Sequence, residues 1–287
     1  MKPGGASRTA VLVCVGRAIA HGTTPVARFS DPTAMALLPD DARAMVERIR
    51  AGVQPRDLGE RWQRGSIQAR AQLMVARTVA IDDAVREVTA PQVVILGAGL
   101  DGRAWRMTEL ASARVFEVDH PDSQRDKRTR VSGLTRTARD VRFVCVDFTR
   151  DDLDSALAGA GHDPAQSTTW IWEGVVMYLT REQIEATLAV VARRSAPNSR
   201  LIIAYHTPAL MLLLIGLLVR RLGEPLRSAF TPMEARSLLA RYGFEVIRDE
   251  DIPEIAARLS PDLARATRMM KHMRIVVADL KGGLPDG

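Results

Sequence analysis

The chain changes its hydrophobic period near residue 90. Ahead of that point apolar residues recur at helical spacing: Val11, Leu12, Val15, Ala18 and Ile19 follow Ser7-Arg8-Thr9, where Thr9 is the expected cap, and the pattern returns over 42–49 and 62–88. Phe29-Ser30-Asp31-Pro32 reads as a turn, because proline disfavours helix for the residue before it. No convincing strand precedes Ala90-Pro91, so residues 1–90 are expected to form an N-terminal helical cap over whatever follows.

Beyond the junction, short apolar runs at 93–96, 115–118, 141–146, 170–172 and 201–204 alternate with helical stretches, and 244–247 and 273–279 supply two last strands. Such alternation predicts an α/β fold over 91–287, with a doubly wound, mostly parallel seven-stranded sheet. Thr180-Arg181-Glu182-Gln183 and Thr231-Pro232-Met233-Glu234 are capping boxes that open helices, the second of which should stop at Gly243. A plain doubly wound sheet does not need residues 206–230, which contain the apolar run ALMLLLIGLLV; they read as an insertion after strand five. The glycine- and proline-bearing tail 282–287 is expected to be mobile.

Composition changes this picture little. The 287 residues are 46% apolar and 26% charged, ordinary for a globular chain able to bury a full core. The formal charge of +6 is spread along the length, which argues against nucleic acid as a partner. Two cysteines, Cys14 and Cys145, suggest neither a disulfide framework nor a metal site, and point to a reducing cytoplasm. The opening residues superficially resemble a leader, but the apolar part at 10–15 is short and Gly16-Arg17 interrupts it. The longest apolar run falls well below the ~20 residues of a membrane span, so no membrane partner is expected.

The chemistry concentrates where strands end, since ligands of open parallel sheets sit beyond the carboxyl ends of the strands. Strand one runs into Gly97-Ala98-Gly99-Leu100-Asp101-Gly102, a G-x-G-x-x-G turn that lets backbone approach a nucleotide. Asp119 ends strand two, 22 residues past Gly97, near the ~20 expected of an acid that binds a ribose hydroxyl pair, with Glu117 as the fallback. Asp147 ends strand three and Glu173 strand four. The spacing fits both NAD and S-adenosylmethionine. Asp101 would repel a pyrophosphate, whereas carboxylates attract the sulfonium and ammonium of S-adenosylmethionine, whose own carboxylate would need Arg77 or Arg103.

The combination ILGAGLDGRAWR, FEVDHPDSQRDKR and WIWEGVVMYLT, preceded by VART around Arg77, resembles the leucine carboxyl methyltransferase family and the bacterial polyketide O-methyltransferases placed with it. The resemblance implies a Rossmann-like class I methyltransferase fold with S-adenosylmethionine as cofactor, and makes the insertion at about 206–230 a variable substrate lid. It implies that Arg77 holds the cofactor carboxylate, Gly97 lies in the turn under the methionyl part, Asp119 binds the ribose, Asp147 and Phe148 flank the adenine, and Glu173 holds the amino group. Gly102 departs from the small hydroxylated residue expected after Asp101, and Trp105 stands where Tyr or Trp is usual.

The expected reaction is methyl transfer to an oxygen of a small-molecule acceptor, most simply a carboxylate of an apolar or aromatic molecule. A carboxylate is ionised at neutral pH and needs no base, whereas a phenol would benefit from one. His206 is the candidate base, and Tyr178 and Tyr205 are candidates to orient the acceptor. A phenol O-methyltransferase, an NAD-dependent oxidoreductase and a nonenzymatic cofactor-binding scaffold are the competing readings.

Overall fold

The computed structural model describes residues 7–148, 150–208 and 227–281. Seven strands form one sheet: β1 (Gln92–Leu96), β2 (Arg114–Asp119), β3 (Asp140–Cys145), β4 (Thr168–Trp172), β5 (Arg200–His206), β6 (Phe244–Asp251) and β7 (Met273–Leu280), in the order β3-β2-β1-β4-β5-β7-β6. Each of the seven expected strands is present. β1 pairs in parallel with β2 on one side and β4 on the other, so the chain reverses its direction of travel across the sheet at β1. That reversal opens a crevice at the carboxyl ends of β1 and β4. β7 runs antiparallel to both β5 and β6.

Every residue of β1, β4 and β5 is buried, as a sheet covered on both faces requires. Alternate residues supply the two faces. Val93, Ile95, Val115, Ile171 and Ile202 share one apolar cluster with Cys14, Val15, Val75 and Val79. Val94, Leu96, Phe116, Trp170 and Trp172 pack on the other side against Leu157, Ile184, Leu188 and Leu238. The first cluster crosses residue 90, so the helices α1 (Arg8–Ala20) and α4 (Leu58–Arg86) are a layer of the same core as the sheet. α2 (Ala34–Leu37) and α3 (Asp40–Arg50) lie between them in sequence.

Local signals explain the helix ends. Ser7, not Thr9, caps α1, its hydroxyl accepting from the Ala10 amide at 3.0 Å. Both expected capping boxes form, opening helices Arg181–Arg193 and Pro232–Arg241. A third, between Asp251 and Glu254, starts helix Ile252–Ala257, which packs with Pro261–Thr267 against α4. Most of the expected lid, residues 209–226, and the tail 282–287 lie outside the described residues. Among the described residues no helix is long and apolar enough to cross a membrane.

The glycine turn shows why its residues are small. Gly97 and Gly99 adopt φ of 70° and 48°, a left-handed conformation that L side chains rarely take. Gly102 has no such constraint; a Cβ there would lie 2.1 Å from the Thr33 hydroxyl, which donates to Asp31 at 2.7 Å. The hydroxyl expected after Asp101 is thus supplied from the turn before α2. All three glycines make room for protein: Val175 beside Gly97, Ala10 beside Gly99 and Thr33 beside Gly102. Gly102→Ala should therefore destabilise by about 1–3 kcal/mol, the usual cost of overpacking. Urea unfolding should show Gly102→Ala combined with Thr33→Ala recovering part of that loss; purely additive losses would contradict the close approach.

Candidate functional site

A cavity of about 380 Å3 lies at the carboxyl edge of the sheet. Its wall includes Arg77, Gly97, Gly99, Asp101, Asp119, Asp147, Phe148, Glu173 and Tyr178, so the structure gathers the sequence-predicted cofactor residues and one predicted acceptor residue in one place. α1 contributes Thr9, Ala10, Val13 and Arg17, which no motif had singled out. Its role was hidden because its residues are neither acidic nor glycine-rich, and only the packing of α1 on α4 brings them to the strand ends.

Asp119 ends β2 beside the glycine turn. Its carboxylate accepts from the Gly99 amide at 2.5 Å and the His120 amide at 2.7 Å, which fixes its orientation toward the crevice. Burial raises its pKa, and those two amides act in the opposite sense. Glu117, the fallback, is fully buried outside the cavity wall and bonded to Lys127 at 2.6 Å; burial pushes its pKa up to about 7. Lys127 in turn lies over the Trp105 ring, 5.2 Å from its centre.

Glu173 follows β4 and sits between two arginines. Its Oε1 is 2.7 Å from Arg77 Nε and its Oε2 accepts from Arg103 at 2.9 Å. Burial opposes ionisation of Glu173, but Arg77 and Arg103 outweigh it and hold the carboxyl below its ordinary range. Arg103 is itself buried and also holds Asp82, at 2.8 Å, and Asp101. With its guanidinium engaged by three carboxylates, Arg103 is no longer an alternative to Arg77 for a ligand carboxylate. Arg77 retains a buried Nη2 with no hydrogen-bond partner among the described residues. An orphaned buried donor is costly, and a carboxylate at that position would satisfy it.

Asp101 lines the cavity, yet its charge is not offered to a ligand alone. Arg103 and Arg17 overcome the effect of burial and keep it ionised well below the usual carboxylate range. The expectation that Asp101 by itself separates a cationic cofactor from a pyrophosphate is therefore corrected: the acid is already neutralised by arginine. Arg77 and Glu173 likewise set a cation beside an anion in the cavity wall.

Two acceptor candidates stand apart. Tyr205 and His206 are adjacent on β5 and so point to opposite faces of the sheet. Tyr205 is packed in the core beneath the sheet, donating its hydroxyl to Asp249 at 2.7 Å, and does not border the cavity. His206 is also absent from the cavity wall, with its ring 5.7 Å from that of His272. Tyr178 does line the cavity, its hydroxyl 3.4 Å from that of Thr9.

A model of the leucine carboxyl methyltransferase family matches residues 10–192. A Streptomyces coelicolor protein whose name assigns it as an S-adenosyl-L-methionine-dependent methyltransferase is 35% identical over 216 residues, 70% of this chain and 69% of that protein. Matches to similarly named relatives from Frankia alni and Streptomyces avermitilis span 46% of each of those proteins. Among solved structures, a DUF574 family protein from Streptomyces avermitilis superposes with a TM-score of 0.56 at 14% identity, covering 96% of this chain and 97% of that one. An O-methyltransferase family protein from Burkholderia thailandensis gives 0.50 at 12% identity, covering 89% and 75%. These two likenesses are of fold.

The His206 environment yields a stability prediction. Burial, with His272 and Arg77 adding to it, lowers the imidazole pKa to about 4, against about 6.5 in an unfolded chain. The unfolded state thus binds the extra proton first, so this contribution is present above about pH 6.5 and is lost as pH falls toward 4. Between pH 7 and 5, urea titrations should show His206→Gln losing less stability than the wild type, by about 1–2 kcal/mol. Equal losses would contradict a buried neutral histidine.

Proposed function

The chain belongs to the leucine carboxyl methyltransferase family, and we propose that it methylates a carboxylate oxygen of a small apolar or aromatic molecule, polyketide-like in character. It is an S-adenosylmethionine-dependent methyltransferase. The residues present fit that cofactor: the unsatisfied Arg77 Nη2 suits its carboxylate, Glu173 its ammonium, Asp119 its ribose, and Asp147 with Phe148 its adenine. Gly97 and Gly99 let the backbone turn closely beside it, and Asp101 acts through Arg103 by keeping that arginine off the ligand and on the frame.

The cofactor supplies a methyl carbon already activated by the sulfonium, so the protein has only to align the acceptor oxygen and exclude water. The position of His206 carries the choice of acceptor. A phenol, with a pKa near ~10, gains from a base whose pKa is close to neutral. His206 stands outside the cavity wall and titrates near 4, which makes it a poor base for that task. A carboxylate is ionised at neutral pH and dispenses with the base. Val13, Val175 and Leu179 give the cavity apolar wall, in keeping with an apolar acceptor. Tyr178, also in the wall, is the side chain best placed to orient it. Membership of this family displaces the oxidoreductase and scaffold readings.

A panel of aromatic and aliphatic carboxylic acids and matched phenols, incubated with purified protein and S-adenosylmethionine, tests the proposal. Mass detection should find methyl esters of apolar acids, with release of S-adenosylhomocysteine, and much slower or no transfer to the phenols. Transfer to phenols alone, or to a peptide carboxyl terminus in preference to every small acid, would overturn it.

A further inference from the structure

Three helices open with a capping box, and one of the three differs from the others. Thr231 pairs with Glu234 and Asp251 with Glu254, both glutamates being exposed. Thr180 pairs instead with Gln183, which is half-buried and lines the cavity. Glutamate and glutamine close such a box equally well, and a carboxylate in the first turn gains further from the helix N-terminus. The box alone therefore does not account for an amide at 183. It does fix how that amide points. The Gln183 Oε1 accepts from the Thr180 amide at 2.9 Å, and the Thr180 hydroxyl accepts from the Gln183 amide at 3.4 Å. The Gln183 carbonyl is tied as well, accepting from the Thr187 hydroxyl at 2.8 Å. A backbone N–H can be met only by the oxygen of a side-chain amide, so Nε2 is the end left over, and it has no hydrogen-bond partner among the described residues.

The sheet order separates Gln183 from the groups suited to the nucleoside. Asp119 ends β2, and Asp147 and Phe148 follow β3, on one side of β1; Glu173 and the helix that carries Gln183 follow β4, on the other. Beyond Glu173 the wall is made by Gly174, Val175, Tyr178, Leu179, Gln183 and Arg227, none of them acidic. That part of the wall offers an anion donors and no carboxylate beyond Glu173, which two arginines already hold. Val175 and Leu179 make the surroundings of the amide apolar, and a hydrogen bond to a charged oxygen is stronger in such a setting than in water.

We infer that Gln183 is a specificity-determining residue whose Nε2, aimed by the capping box, donates a hydrogen bond to the carboxylate of the methyl acceptor. The inference rests on the carboxylate-acceptor reading and names a side chain that enforces it. A glutamate at the same position would close the same box but set one carboxylate against another, so the amide keeps the helix start while removing that repulsion. Gln183 acts on binding and takes no part in breaking the bond to the methyl group.

Calorimetric titration of the protein saturated with S-adenosylhomocysteine tests this, using 2-naphthoate, decanoate and their methyl esters as probes. At least one carboxylate should bind the wild type more tightly than its ester. Gln183→Glu preserves the capping box, so a purely structural role for Gln183 would leave every affinity as it was. The substitution should instead weaken the carboxylate by about tenfold or more, while the affinities for the ester and for S-adenosylhomocysteine stay unchanged. Neither carboxylate binding the wild type, unchanged carboxylate affinity in the variant, or a matching loss of S-adenosylhomocysteine affinity would each overturn the role of Gln183. A carboxylate whose binding depends on Gln183 but which is never esterified would leave that role standing and refute the carboxylate-transfer reading; esterification unaffected by the substitution would do the reverse.

Discussion

The structure depends on a buried ion network with Arg103 at its centre. One guanidinium joins Asp82 on α4, Asp101 after β1 and Glu173 after β4, and so ties the helical layer to the two strand ends between which the crevice opens. Arg106 and Asp31 extend the network to the turn before α2, and Arg17 carries it into α1. Four arginines, Arg17, Arg77, Arg103 and Arg106, face four acids, Asp31, Asp82, Asp101 and Glu173, so the buried charge balances. Such a network contributes little net stability over an apolar core, but removing one member costs about 3–5 kcal/mol because its partners stay buried and unmatched. Its main effect is to fix geometry.

That fixed geometry serves the chemistry. Methyl transfer from a sulfonium asks for alignment more than for proton movement, and alignment is lost if the groups that hold the cofactor can wander. Glu173 is clamped by two arginines and Asp119 by two backbone amides, so both are oriented in advance. The acids of the cavity wall, Asp101, Asp119, Asp147 and Glu173, stand at or just beyond strand ends.

The sheet was legible because parallel strands buried on both faces leave unbroken apolar runs, and β1, β4 and β5 are buried throughout. The capping boxes at Thr180 and Thr231 were legible because they are local. The box at Asp251 was missed since it follows β6 with no intervening turn signal. The acids could be placed at strand ends, but not their partners: Arg103 is met by Asp82 from α4 and by Asp101 from the glycine turn, and no spacing announces a pairing between α4 and a loop. Asp101 consequently looked like a free charge. Arg17 and Arg106 could not be distinguished as members of the buried network in a chain with 40 basic residues, of which only Lys2, Lys127, Lys271 and Lys281 are lysine. Tyr205 and His206 were named together, although a period of two sends neighbours on a strand to opposite faces.

The account turns on the Arg77–Glu173 pair as the seat of the amino acid portion of the cofactor. Comparing the affinity of S-adenosylhomocysteine with that of methylthioadenosine, which lacks the amino acid, isolates that claim. The wild type should prefer S-adenosylhomocysteine strongly, and a folded Glu173→Gln variant should lose most of the preference with little change toward methylthioadenosine. Equal affinities in the wild type, or a preference untouched by the substitution, would contradict the assignment.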